Sequence, residues 1–214
     1  MGVSPCSRNA VGGVMDIFTV IKERRSCRQF LADPIEEEAI TKVLEAAIWA
    51  PSPKNAQPWE FIVIKNQEIK QKIYLEAEER RKWLLEKSGW KWLESYSVEF
   101  LISVPVIIVV IGNPEKTGVD KFLHGGGMGY QHACSAAVQN MLLTAHALGI
   151  ASLWFTIYEH DIIREILDIQ YPKVPLAMIC LGKPAGEPHH PRYAGLSDDS
   201  QRELPFPVIA KAPA

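Results

Sequence analysis

Cysteine is scarce in this chain, with four in 214 residues at positions 6, 27, 134 and 180. None forms a C-x-x-C pair, and none stands at metal-ligand spacing from a histidine. A disulfide framework and a zinc ribbon are therefore excluded, and the thiols read as reduced thiols of a cytoplasmic protein. Charge of one sign is missing as well: the net charge is −2 and the isoelectric point about 6.3. No overall field favours nucleic acid or an anionic membrane, so any bound anion has to be held by a local cluster. The longest apolar run, residues 104–111, is too short to span a bilayer as a helix. The opening MGVSPCSRNAVGG has neither the basic start nor the apolar stretch of a signal peptide, and Cys6 stands where a myristoylation motif has Ser or Thr. The expectation is a soluble cytoplasmic protein without nucleic-acid or membrane partners.

Several catalytic signatures are also missing. There is no G-x-S-x-G elbow. The glycine-rich HGGGMG (124–129) lacks the Lys-Ser/Thr of a P-loop and does not match G-x-G-x-x-G. It can be read as a backbone phosphate cradle or as a flexible loop. His189 and His190 lie side by side in a proline-rich turn with no third ligand nearby, so no metal site is expected.

What is present is a globular chain, 47% hydrophobic, without repeats or low-complexity linkers. A first helix is expected from Asp16 through IFTVIKERR. A second follows in DPIEEEAITKVLEAAIWA, with Asp33 as cap, Pro34 at the first position and Glu36 closing a capping box. Ile40, Val43, Leu44, Ala47 and Ile48 recur at helical spacing and predict one buried face. Residues 60–64 form a short strand, and residues 68–95 a charged helical region broken near Gly89 that carries Trp83, Trp90 and Trp92. Residues 102–112 read as a fully buried strand, 130–148 as a helix, IASLWF as a strand, HDIIREILDI as a helix and VPLAMICLGKP as a last strand. Strands alternating with helices predict one α/β sandwich whose sheet is covered on both faces. The tail, with Leu204, Phe206, Val208 and Ile209, is expected to be pinned against something, such as a second subunit.

Two clusters carry chemistry. RRSCR puts Arg24, Arg25, Ser26 and Arg28 within five residues at the end of the first helix. It reads either as a solvated helix C-terminus or as a phosphate site, since guanidinium forks bind phosphate oxygens in pairs and a serine adds a neutral donor. A dianion needs a further cation, for which Lys183, Arg192 and Arg202 are candidates. The stretch APSPKNAQPWEF (50–61) holds Ser52, Asn55 and Gln57 between prolines. Its amides can tie down the loop's own backbone, or meet a uracil-like edge of alternating C=O and N–H.

Together these pieces resemble the FMN-dependent nitroreductase family: RRSCRQF with DPIEEEAITKVLEAAIWAPSPKNAQPWEFIVI, then SAAVQNMLLTAHALGIASLWF, then VPLAMICLGKP with an arginine beyond it. The resemblance runs from about Ile17 to Arg192. It implies an α+β fold: a three-layer sandwich with a mixed, mainly antiparallel central sheet flanked by helices. It also implies a single domain over 1–214, with 1–14 flexible and 185–214 an extended tail embracing the partner of a homodimer.

The cofactor implied is FMN, reduced by NADH or NADPH and reoxidised by a small acceptor such as a nitroaromatic or quinone. Specialised relatives, reductive dehalogenases or enzymes that consume flavin with oxygen, share the frame, and a non-enzymatic flavin-binding module stays open. Carried onto this sequence, Arg24, Ser26 and a late arginine, Arg192 or Arg202, hold the phosphate, with Arg25 adding charge or backbone contacts. Arg28 reaches the pyrimidine side of the flavin. Pro51, Ser52, Asn55 and Gln57 contact flavin, some of them from the partner. Backbone around Leu153, Trp154 and Phe155 lies near the flavin's reactive edge. Residues 74–92 are the expected substrate cover, with at least one tryptophan packed into the core.

Overall fold

The structure is a computed structural model that describes residues 15–186. The chain begins with helix α1 (Ile17–Glu23), whose orphan N–H groups of Phe18 and Thr19 are capped by the Asp16 carboxylate at 3.0 and 3.2 Å. Helix α2 spans Glu37–Ile48, strand β1 Trp59–Ile64 and helix α3 Gln67–Ser88. Asn66 caps α3 through its side chain, and Gly89 ends it in the left-handed conformation at φ 65°. Helix α4 (Phe100–Ser103) leads into β2 (Val106–Gly112), followed by α5 (Gly129–Ala147), β3 (Ala151–Phe155), α6 (His160–Leu167) and β4 (Val174–Gly182).

The strands form one sheet in the order β1-β2-β4-β3, and every strand pair in it is antiparallel. The expected mixed sheet therefore needs correction among the described residues. The one parallel contact is an isolated bridge between Ser26 and Ser152. Alternation of helix and strand along the chain does not fix strand direction, because a long helical connection can return in either sense.

Strand β2 lies in the middle of this sheet and is buried along its whole length. Its Ile107, Val109 and Ile111 face a core with Leu153, Phe155 and Met178 under Ile73 and Ala77 of α3 and Ile163 of α6. Val106, Ile108 and Val110 face the opposite core, under Ile40, Val43 and Ala47 of α2 and Ala137 and Met141 of α5. Both faces are covered, so alternation disappears from the sequence and VIIVVI reads as a continuous apolar run. The three-layer sandwich is present.

Local expectations shift in three places. Helix α2 starts at Glu37 with Glu36 at its cap, and no side chain caps it. Asp33 precedes a proline, which favours extended backbone, and residues 29–31 are tied to the end of β4 by Leu31 N–H to Lys183 O and Ala185 N–H to Gln29 O, each 2.9 Å. Ile48 is 51% exposed, outside the buried stripe. The run 102–112 divides into a helical turn and a strand from Val106, because Pro105 intervenes.

Glu76 joins two helices of one layer, α3 and α6. It is 7% exposed, accepts from the Glu159 N–H at the start of α6 (2.9 Å) and lies 3.4 Å from Arg80. Glu76→Ala leaves that part-buried donor without its carboxylate and is expected to cost about 1 kcal/mol, read as a lower urea midpoint at constant slope. Glu76→Gln, which keeps an acceptor, should lose less.

Candidate functional site

The site is built on the outer edge of β3. In the antiparallel β3–β4 ladder Leu153 faces Cys180, and successive residues turn their N–H and C=O alternately toward β4 and away from it. Ser152 turns outward, since its carbonyl accepts the Cys27 N–H at 2.9 Å. Trp154 has the same parity, so its backbone groups also face outward. Among the described residues no backbone partner takes them up. Leu153 is turned inward: its side chain is 2% exposed in the core and its backbone points at β4, so it has nothing to offer a ligand at this edge. Phe155 is likewise a core side chain.

The RRSCR segment lies along that edge. Helix α1 stops at Glu23, with Arg24 as its C-cap, so the cluster is extended rather than helical. Arg25 folds back, its Nη1 donating to the carbonyls of Lys22 and Arg24 at 2.5 and 2.8 Å, which satisfies the open carbonyl end of α1. Half of the helix-terminus reading thus holds, through Arg25. Ser26 is exposed beside Ser152, and Arg24 is half-buried. Arg28 departs from the group: its Nε donates to the Tyr96 hydroxyl at 3.4 Å and its guanidinium lies 5.4 Å from the Tyr96 ring centroid. With Phe30, Ser97, Glu99 and Phe100 it lines a cleft of about 640 Å³. Lys183 is drawn to Asp33 at 3.8 Å. Arg192, Arg202, His189 and His190 lie outside the described residues.

The 51–57 loop holds itself in an unusual shape. Lys54, Asn55 and Gln57 adopt φ of 54°, 54° and 45°, left-handed values that non-glycine residues rarely take. The Ser52 hydroxyl accepts from Gln57 N–H at 3.1 Å, and the Gln57 amide donates to Asn55 Oδ1 at 3.1 Å. The amides do brace the loop, and Asn55 and Gln57 stay exposed while doing so. Pro51 is exposed at its start. Pro53 packs against Gly118 and Gly129, where an added Cβ would come within 2.6 and 3.1 Å of it.

The loop and the arginine cluster therefore sit at opposite ends of α5. The loop meets Gly129 at its start, and α1 packs on α5 with Arg24 and Arg25 near enough to His146 to shift its titration. Seventeen residues at 1.5 Å each put these ends about 25 Å apart.

The HGGGMG turn is not an anion cradle. The Asp120 carboxylate already accepts from Gly127 N–H and Gly129 N–H at 3.1 and 2.7 Å, and from the Thr117 hydroxyl at 3.0 Å. Desolvation pushes the Asp120 pKa up, but the donors from Gly129, Thr117 and Gly127 outweigh it and leave it below the ordinary carboxylate value. The start of α5 is thus occupied by the chain's own carboxylate.

Burial pushes the Cys134 thiol, beside Trp154 in a pocket of about 250 Å³, up to about 12, and raises the Cys27 thiol too. Neither is a thiolate at neutral pH, which excludes thiolate attack here. Trp83, Trp90 and Trp92 are 45%, 59% and 51% exposed, so none of the three packs into the core. Trp90 stacks on Trp92 at 6.4 Å, and Trp92 meets Tyr96 edge-on at 5.4 Å, an aromatic row ending at Arg28. Sequence reasoning missed Tyr96, His146, Ser152 and Asp120, because isolated residues of these types carry no spacing signal.

No helix among the described residues is long and apolar enough to cross a membrane, and among them no group of three or more potential metal ligands converges.

Residues 21–183 match the family model described as Nitroreductase family. Over 178 residues the chain is 31% identical to a "Putative NADH dehydrogenase/NAD(P)H nitroreductase" of Methanothermobacter thermautotrophicus, covering 81% of this chain and 80% of that protein. A protein of the same description from Archaeoglobus fulgidus is 32% identical, over 80% of this chain and 87% of its own length. Among solved structures, a "putative nitroreductase in complex with FMN" from Desulfovibrio desulfuricans superposes with a TM-score of 0.65 at 27% identity, covering 90% of this chain and 99% of that one. The arginine–serine segment on the open edge of β3 and the family match over most of the chain agree: this chain belongs to the nitroreductase family.

Proposed function

We propose that the chain is an FMN-dependent oxidoreductase that takes hydride from NADH or NADPH and passes it to a small acceptor such as a nitroaromatic or a quinone. The observation that carries this reading is the extended Arg24–Arg25–Ser26 segment paired with Ser152 on the edge of β3, next to the outward-facing backbone of Trp154. Cations and a hydroxyl suit a phosphate, and an open strand edge offers N–H and C=O groups to a heterocycle.

Arg24 and Ser26 would hold the phosphate, with Arg192 as the late cation, and Trp154 backbone would face the ring system. Bound FMN supplies the hydride chemistry, in two half-reactions that share one pocket. The chain's part is to seat, orient and cover the cofactor, which accounts for why no acid–base pair stands out in the sequence. Arg28 reaches the flavin's pyrimidine by leaving Tyr96, and the aromatic row Trp90–Trp92–Tyr96 is the segment that covers a planar acceptor.

The site is shared between two copies of the chain. The 25 Å between the 51–57 loop and the arginine cluster exceeds what a five-carbon ribityl chain bridges, so Asn55 and Gln57 meet the flavin held by the partner's arginines. Phe18 and Trp49, 80% and 83% exposed, are apolar surface for such an interface.

The test is spectroscopic. Purified protein should carry or take up FMN, and anaerobic NADPH or NADH should bleach its visible absorbance, which a quinone then restores. Protein that gains no flavin absorbance on FMN addition overturns the reading. Bound flavin that neither nicotinamide reduces indicates a binding module, and product analysis with and without oxygen separates the specialised relatives.

A further inference from the structure

Three buried polar side-chain atoms among the described residues lack a hydrogen-bond partner: Arg25 Nε, His146 Nε2 and Ser152 Oγ. They are far apart in sequence and converge in the fold. Ser152 bridges Ser26, the neighbour of Arg25; α1 packs on α5, and Glu23, Arg24 and Arg25 lie near enough to His146, in the last turn of α5, to act on its titration. Ser152 has the parity of Trp154, which faces α5 in the pocket with Gln131 and Cys134, so its hydroxyl points to the same layer as His146. Their chemistry is complementary: Arg25 Nε–H is a donor, neutral imidazole Nε2 is an acceptor, and the serine hydroxyl is both. Unmatched buried groups are costly, and three around one segment mark an arrangement that closes in another state.

We propose that His146, supported by Ser152, is the positioning residue of the phosphate-binding segment, its neutral Nε2 receiving Arg25 Nε–H when the anion is bound. Arg25 is then held at two points, through Nη1 on the carbonyls of α1 and through Nε on α5. This strut fixes Arg24 and Ser26 beside the β3 edge. The imidazole has to be neutral for this role. Burial lowers its pKa, Arg24 and Arg25 lower it further, and Glu23 on α1 opposes them, so at neutral pH it is an acceptor. The inference rests on the FMN reading above.

The experiment compares FMN with riboflavin, which lacks the phosphate, by fluorescence titration of the full chain and its His146→Ala and His146→Gln variants. His146 is a half-buried helical position, and alanine and glutamine both favour helix. His146→Ala is expected to weaken FMN about tenfold while leaving riboflavin unchanged, the effect of one hydrogen bond to a charged group. His146→Gln, which keeps an acceptor that does not titrate, should recover most of the loss. Protonation removes the acceptor, so the gap between wild type and His146→Ala should narrow from about pH 7.5 to about pH 5.5. Comparison at each pH cancels titration of the phosphate itself.

A gap that widens in acid points to direct imidazolium–phosphate contact and overturns the positioning role. So does an alanine variant that binds FMN like wild type, or one that loses both flavins equally. Wild-type protein that binds neither flavin overturns the FMN reading itself and this inference with it, whereas FMN binding indifferent to His146 overturns this inference alone.

Discussion

Arg24→Ala is expected to weaken FMN binding by about 100-fold, because a bidentate guanidinium–phosphate pair contributes two charge-assisted hydrogen bonds. Arg24 also closes α1 through its backbone N–H to Val20 O at 3.0 Å, a bond that alanine keeps, and a thermal melt of the flavin-free variant reports separately any change in stability. Riboflavin affinity should be nearly unchanged, which separates loss of a phosphate contact from loss of the pocket. Salt provides a second signature: added chloride should weaken FMN in the wild type more than in the variant, since the arginine's charge is what ions screen. Equal FMN affinity in the two proteins would show that the cluster only terminates α1. Arg25→Ala makes an instructive contrast, because Arg25 closes the end of α1 and should cost stability as well as affinity.

The second large effect is structural in origin and functional in reach. A Cβ on Gly129 would fall 2.2 Å from the Thr117 carbonyl oxygen, 3.1 Å from Pro53 Cγ and 3.2 Å from Asp120 Oδ2. The nearest obstacle is backbone, which cannot swing aside as a side chain can. Gly129→Ala is therefore expected to cost about 3 kcal/mol, at the upper end for overpacking, and to lower the thermal midpoint by about 6–12 °C. It should also disturb flavin binding from a distance, since Pro53 anchors the loop that presents Asn55 and Gln57. Gly125 makes the control. It lies in the same turn at φ 73° with open space around its Cβ position, so Gly125→Ala should cost only about 1 kcal/mol of backbone strain and leave flavin affinity alone. Circular dichroism melts and FMN titrations of the two variants decide the matter. A Gly129→Ala protein as stable as Gly125→Ala would mean that the turn yields freely.

Much of the fold was legible because its periodicities are strong. The run VIIVVI predicts a strand buried on both faces, and β2 is one, with alternate residues in two separate cores. Asp16 and Gly89 mark their helix ends by local chemistry, an oxygen for orphan N–H groups and a residue free to take positive φ. Where tertiary contact competes with local preference, the prediction fails. Asp33 and Pro34 look like a helix start, yet the preceding residues are drawn to the end of β4 and the helix begins at Glu37. At least one tryptophan of residues 83–92 is expected in the core, yet all three stand on the surface; α3 turns Ile73 and Ala77 to the core and leaves Trp83 outside.

The candidate site divides in the same way. The sequence alone determined the residue types, the arginine–serine cluster and the proline-braced amides, because those are dense local patterns with few structural uses. It also determined the family, through their order along the chain. Only the tertiary structure decided what each residue does. It sent Arg28 to Tyr96, buried Leu153, and filled the start of α5 with Asp120. It also put the loop and the arginines at opposite ends of one helix and brought His146 and Ser152 to Arg25. The physical reason is range: helix, strand and cap signals act over a few residues, whereas pairing a β3 edge with residue 26, or a helix end with residue 25, spans more than a hundred residues that only the folded chain brings together.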